Sequence, residues 1–214
     1  MAFSVRTHYQ DSEIAENSDR ERFSSFPSRV FQWAERRGLD RVIRLLSPGT
    51  RVLDAPCGTG RLMDVFLRRG LAVIGADISA EMMAVARRRT TQWDGRVSFS
   101  RMDFSHMPLA DRSIVATFSL RFLLHILSGE RVVMLREFRR VSQYWVAVSL
   151  GISTPWHRFR RHLKAWLGHP GPVRYPVTNR KMAEEFRQAG LREVRRYWTA
   201  RLLSEQILVA CERI

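Results

Sequence analysis

Three acidic residues close three strand-like runs in this chain of 214 residues: Asp54 ends Arg51-Val-Leu-Asp54, Asp77 ends Leu71-Ala-Val-Ile-Gly-Ala-Asp77, and Asp103 follows the run over 97–102. Asp54 opens into Ala-Pro-Cys-Gly58-Thr-Gly60. Glycines let a backbone turn tightly and approach a ligand closely, and a helix starting after Gly60 offers free backbone N–H groups. A carboxylate beside such a turn can accept both hydroxyls of a ribose, so the constellation reads as a nucleoside site. A dinucleotide would prefer G-x-G-x-x-G, with a third glycine where helix packs on strand. Here position 63 is methionine, the first position is Pro56, and Asp54 sits inside the turn, where it repels a pyrophosphate. A cationic nucleoside fits better, and S-adenosylmethionine carries a sulfonium, an ammonium and a ribose but no phosphate.

The elements that must position these residues follow from hydrophobic periodicity. Val30, Phe31, Ala34, Leu39, Val42, Ile43, Leu45 and Leu46 recur at helical spacings until Pro48-Gly49 stops them, which predicts one or two helices before the first strand. Strands over 51–54, 71–77, 97–102, 113–118 and 144–150 then alternate with helices after Gly60, from a Ser79 cap to about Arg89, and over 128–141. A helix over 178–189, capped by Gly190, precedes strands over 191–198 and 206–211. The gap between those two strands is too short for a crossover helix, so the last strand enters antiparallel. The expected fold is α/β: a Rossmann-like, mostly parallel seven-stranded sheet with helices on both faces and a last antiparallel strand. One domain spans 1–214, with an N-terminal helical segment over 1–47 and an insertion over 151–177. In such sheets ligands sit outside the carboxyl ends of the strands, near the switch point, where Asp54 and Asp77 lie.

Val52-Leu-Asp-Ala-Pro-Cys-Gly-Thr-Gly-Arg61, Ile74-Gly-Ala-Asp-Ile-Ser79 and Met102-Asp-Phe104 resemble the successive cofactor motifs of the class I S-adenosylmethionine-dependent methyltransferases. The resemblance implies that Asp54, Gly58 and Gly60 shape the floor under the methionine part. It also implies that Asp77, with Ile78 beside it, binds the ribose, that Asp103 takes the adenine amino group with Phe104 against the ring, and that Leu120 lies near the methionine end. The chain departs from the family pattern at Pro56, at Val115, and at Ser142-Gln-Tyr144 in place of a Gly-Gly turn.

Methyl transfer from a sulfonium is an in-line displacement, so the protein mainly orients the nucleophile and excludes water; a base is needed only for a poorly ionised hydroxyl or amine. His125, in Ser119-Leu-Arg-Phe-Leu-Leu-His-Ile126, is the candidate base, ahead of His106, with a backbone-bonded helix residue as the alternative reading. Arg121 could bind an acceptor carboxylate or phosphate. In Trp156-His-Arg-Phe-Arg-Arg-His-Leu-Lys-Ala-Trp-Leu167, the residues Trp156, Phe159, Leu163, Trp166 and Leu167 share one helical face, and basic residues occupy much of the rest. Such a helix can pack its aromatic stripe on the core, lie on an anionic membrane, or act as a mobile cover over an apolar acceptor. Tyr9, Arg22, Phe23 and Arg29 are expected to form another wall of the pocket.

Composition bounds the rest. Hydrophobic residues at 45% and charged residues at 27% are globular values and exclude a disordered, collagenous or coiled-coil chain. No apolar run reaches the ~18 residues of a spanning helix, and the polar N-terminus leads to an expectation of a cytoplasmic protein. Cys57 and Cys211 lack zinc-site spacing, and no metal is expected. The net charge of +15 is almost all arginine, spread along the chain. It suits an RNA methyltransferase, yet the Asn/Asp-Pro-Pro-Tyr signature of amine-directed nucleic-acid enzymes is absent after the fourth strand. The expected acceptor is therefore a small or lipid-linked molecule, with nucleic acid and a non-catalytic binding domain as rivals and peripheral membrane contact as a further option.

Overall fold

The computed structural model describes residues 26–166, 175–199 and 204–214. Seven strands form one sheet: β1 (Arg51–Asp54), β2 (Ala72–Asp77), β3 (Val97–Arg101), β4 (Ile114–Ser119), β5 (Ser142–Gly151), β6 (Leu191–Trp198) and β7 (Gln206–Arg213). Their order is β3-β2-β1-β4-β5-β7-β6. Pairings from β3 to β5 are parallel, while β7 runs antiparallel to both β5 and β6. The sheet class and the reversed last strand are as expected. The switch point falls at β1, whose neighbours on the two sides are β2 and β4.

Successive strand residues face opposite sides, and the core divides accordingly. Leu53, Val146, Val148, Ile207 and Val209 join one cluster with Phe138 and Phe186, from helices α4 (Ser128–Val141) and α6 (Asn179–Gln188). Val52, Ala147, Leu208 and Ala210 join the other, with Leu39 and Phe66 from α1 (Phe26–Ile43) and α2 (Met63–Arg68). Helix α3 (Ala80–Thr90) packs beside β2 and β3, and α5 (Pro155–Trp166) follows β5.

Several boundaries shift by one or two residues from expectation, and two of the shifts have a local reason. Helix α2 begins at Met63 rather than directly after Gly60, because Gly60 takes φ +72° and residues 60–62 turn first. Strand β5 begins at Ser142, in direct continuation of α4, where the sequence pattern placed its start at Tyr144. The Ser142 hydroxyl is buried against the Thr117 hydroxyl at 2.7 Å and its carbonyl accepts from Arg213, so this polar residue is satisfied inside the sheet.

Candidate active site

The loop after β1 hangs from the ends of both neighbouring strands: the Ala55 amide donates to the Phe118 carbonyl and the Cys57 amide to the Ala76 carbonyl, each at 2.8 Å. The Ala55–Pro56 peptide is cis. Gly58 and Gly60 both have positive φ, +53° and +72°, and a Cβ on Gly60 would stand 2.9 Å from that of Ala86 on α3. Only glycine fits that turn.

Asp77 braces it from β2. Its carboxylate accepts from the Gly58 amide at 2.8 Å and from the Ser79 amide at 3.0 Å, while the Ser79 hydroxyl caps α3 through the Met82 amide. Asp54 is also buried, 3% exposed, at the end of β1. Burial first, and then the negative charge of Asp77, push the Asp54 carboxyl up to about 8 against the opposing pull of Arg61. Asp77 is raised by burial too, an effect its backbone hydrogen bonds counter. Two desolvated carboxylates at one turn form a site that a cation stabilises and an anion destabilises. Burial holds the Cys57 thiol far above its ordinary value, so it is no nucleophile.

The third loop is tied to the second through the Met102 amide, which donates to the Asp77 carbonyl at 3.2 Å. Half-buried Asp103 accepts from the amide and the hydroxyl of Ser105, at 2.9 and 2.6 Å. Phe104 lies in the core, its ring 5.7 Å from Phe122 and 6.3 Å from Phe138. The carbonyl of half-buried Ile78 accepts from Arg101.

At the end of β4, Ser119 is wholly buried, and its hydroxyl finds no hydrogen-bond partner among the described residues. Leu120 is buried beside it. Arg121 takes φ +61° and sets its guanidinium 5.6 Å from the Phe31 ring centroid on α1. Half-buried His125 ends a 3-10 turn, Leu123–His125, while His106 is exposed. Arg29 is exposed, and Tyr9, Arg22 and Phe23 lie outside the described residues.

Sequence reasoning missed the group that closes this end of the sheet. Glu35 on α1, 5% exposed, receives Arg61 Nη2 at 2.5 Å on one oxygen and Gln206 Nε2 at 3.0 Å on the other; the same Gln206 nitrogen reaches the Ser149 hydroxyl at 3.3 Å. The available signal was positional: Glu35 falls on the apolar stripe of Phe31, Leu39 and Val42. Beneath α1 a small cavity of about 10 Å³, room for about one water, is lined by Glu35, Leu39, Leu120, Ser149, Trp198 and Gln206.

Helix α5 meets one residue of that lining, Trp198. The His157 ring is 2% exposed and stacks on Trp198 at 6.4 Å, whereas Trp156, Phe159 and Trp166 are 52%, 61% and 80% exposed. Packing of those three aromatics on the core is thereby excluded. Among the described residues no His, Cys, Asp and Glu cluster could hold a metal, and no helix is long and apolar enough to cross a membrane.

Residues 52–143 match the family model of a methyltransferase domain. Methyltransferase GfsG of Streptomyces halstedii is 34% identical over 99 residues, 45% of this chain and 35% of that protein. A malonyl-[acyl-carrier protein] O-methyltransferase of Hamiltonella defensa is 30% identical over 43% of this chain and 33% of its own length. A demethylmenaquinone methyltransferase of Porphyromonas gingivalis is 31% identical over 147 residues, 59% of this chain and 56% of that protein. The chain thus spans between a third and somewhat over half of these relatives' length. The crystal structure of magnesium protoporphyrin IX methyltransferase from Synechocystis PCC 6803 with bound SAH superposes with a TM-score of 0.77 at 17% identity, covering 95% of this chain and 98% of that one. With the motifs after β1, β2 and β3 in order on this sheet, residues 52–143 carry a methyltransferase domain of the class I S-adenosylmethionine-dependent kind.

Proposed function

We propose that the protein is an S-adenosylmethionine-dependent methyltransferase acting on a small or lipid-linked acceptor, located in the cytoplasm. One observation carries the reading: two buried carboxylates, Asp54 and Asp77, flank a positive-φ turn whose Gly60 has no room for a side chain. The residues fit a cationic nucleoside. Asp54, Gly58 and Gly60 would hold its amino-acid end, with the buried Ser119 hydroxyl as an added polar contact. Asp77 and Ile78 would hold the ribose, Asp103 the adenine amino group beside Phe104, and Leu120 the boundary toward the acceptor. When bound, S-adenosylmethionine supplies a methyl group on a sulfonium.

The remaining work falls to the chain itself. The acceptor enters at the carboxyl ends of the strands, beside Leu120, where water is excluded from it. His125 accepts the proton that a hydroxyl or amine acceptor sheds as its lone pair attacks, and no base is required for an acceptor already ionised. Arg121 orients an acidic group of the acceptor, and Trp156, exposed on α5, contacts the apolar part of a lipid-linked acceptor. The names of the similar proteins, which specify demethylmenaquinone and a carrier-linked malonyl group, support a small or carried acceptor. The charge of +15 favours RNA as a second reading, which predicts RNA binding that weakens steeply with salt.

Calorimetry with S-adenosylhomocysteine and with NAD tests the cofactor assignment. Asp77→Ala removes charge-assisted hydrogen bonds of about 1.5 to 3 kcal/mol, so affinity should fall roughly tenfold to a hundredfold. Preference for NAD, or an unchanged affinity in Asp77→Ala, would overturn it. Transfer of labelled methyl groups into metabolite extracts then identifies the acceptor.

A further inference from the structure

We propose that α5 docks the protein on an anionic lipid bilayer, with Trp156, Phe159 and Trp166 entering the headgroup layer as one apolar wedge. The orientation of the helix is fixed from below. The Thr154 hydroxyl lies 2.8 Å from His157 Nδ1, the Arg158 amide donates to the Thr154 carbonyl at 3.0 Å, and the buried His157 ring stacks on Trp198. His157 follows Trp156 by about 100° around the helix, so this anchor turns the aromatic face outward. Trp156, Phe159 and Trp166, at i, i+3 and i+10, share that face and are more than half exposed. The Trp156 and Phe159 rings lean on each other at 6.2 Å and 32°, forming a contiguous apolar surface rather than separate open ring faces.

Charge identifies what covers it. No Asp or Glu occurs between Glu137 and Glu184, while this stretch supplies Arg158, Arg160, Arg161 and Lys164 within α5, then Arg174 and Arg180. A basic segment with exposed indoles matches an interface whose headgroups are anionic and whose upper acyl region is apolar; tryptophan favours that depth. Single-stranded RNA would need the rings apart, so that bases could stack on each face. Each basic residue near an anionic bilayer is worth about fivefold in partitioning, so Arg158, exposed on α5, acts together with the wedge. Trp198, under the anchor, also lines the small cavity beneath α1 together with Leu120, so docking would place the acceptor side of the sheet at the lipid surface. This last consequence rests on the methyl-transfer reading; the docking does not.

The test uses the full chain and sedimentation with vesicles of phosphatidylcholine, with or without phosphatidylglycerol. Binding should be at least roughly tenfold stronger on the anionic vesicles and should decline with salt. The triple variant Trp156→Ala, Phe159→Ala, Trp166→Ala should lose roughly tenfold or more of that binding at an unchanged melting temperature, since these rings are exposed. Arg158→Glu should weaken binding to anionic vesicles alone. Quenching of tryptophan emission by brominated lipids should be present in the wild type and reduced in the triple variant. Equal binding to neutral vesicles, unchanged binding of the triple variant, preferential binding of polyuridylate that survives in it, or self-association through the aromatic face without vesicle binding would each overturn the proposal. S-adenosylhomocysteine titrated into the triple variant reports on the methyl-transfer reading separately, because that affinity should stay at the wild-type value.

Discussion

Glu35 and Gln206 stand 171 residues apart in the chain and are joined by a 3.0 Å hydrogen bond across the carboxyl ends of the sheet. The other Glu35 oxygen holds Arg61, which directly follows the glycine turn, and Arg36 reaches back to the Arg61 carbonyl and pairs with Asp64. One buried carboxylate thereby links α1, the loop after β1 and β7. Removing one partner of a buried ion pair costs about 3 to 5 kcal/mol. Glu35→Ala is expected to approach the lower end of that range, because the Arg61 side chain keeps 17% exposure. Glu35→Gln keeps the shape and one hydrogen bond and should lose less. Urea denaturation of the two variants checks the order, and equal stability of Glu35→Ala and wild type would show that α1 is not held this way.

Arg131 and Glu185, each with 1% side-chain exposure, form a second buried pair at 2.9 Å between α4 and α6. Burial lowers the Arg131 pKa and the Glu185 charge opposes that shift. Arg131 also donates to the Leu123 carbonyl at 3.2 Å, within the 3-10 turn that ends at His125, and the Ser128 hydroxyl donates to Glu185 at 2.6 Å. Glu185→Ala should destabilise by about 3 to 5 kcal/mol, by leaving a buried guanidinium without its counter-charge. Arg131→Met with Glu185→Leu should recover most of that loss, since an apolar pair of similar volume needs no desolvation. A double-mutant cycle by chemical denaturation measures the coupling, and additive losses would contradict it.

Local pattern made most of the sheet legible. Asp54 and Asp77 each end an apolar run, so their place at the carboxyl ends of β1 and β2 follows from strand length alone, and α4 runs over 128–141 as its periodicity requires. The Glu35 network was not legible, because Arg61, Ser149 and Gln206 come together only through the strand order. The α5 stripe was half legible. Spacing shows that Trp156, Phe159 and Trp166 share a face, but the buried His157 anchor against Trp198 decides that the face looks outward. Phe104 shows the same limit: the sequence puts it after Asp103, and the packing of Phe122 and Phe138 puts its ring in the core.

The last prediction concerns protons. Burial, and then the charge of Asp77, push the Asp54 carboxyl up to about 8 in the folded protein against an ordinary value of 3.8, so the folded state binds the extra proton between those limits. Stability of the free protein should therefore fall as pH rises from about 4 to about 8 and level off above, with a slope approaching 1.36 kcal/mol per pH unit for one proton. Asp54→Asn, which stays neutral, should flatten that slope. A cationic nucleoside placed beside Asp54 favours the ionised carboxylate, so its binding near pH 7 should release a proton and tighten as pH approaches 8. Calorimetric titration of S-adenosylmethionine in buffers of different ionisation enthalpy reads the proton directly, and S-adenosylhomocysteine, which lacks the sulfonium charge, should release less of it. Proton uptake on binding, or a pH slope of unchanged size in Asp54→Asn, would remove Asp54 as the group facing the positive charge; burial of Asp77 leaves a smaller slope of the same sign.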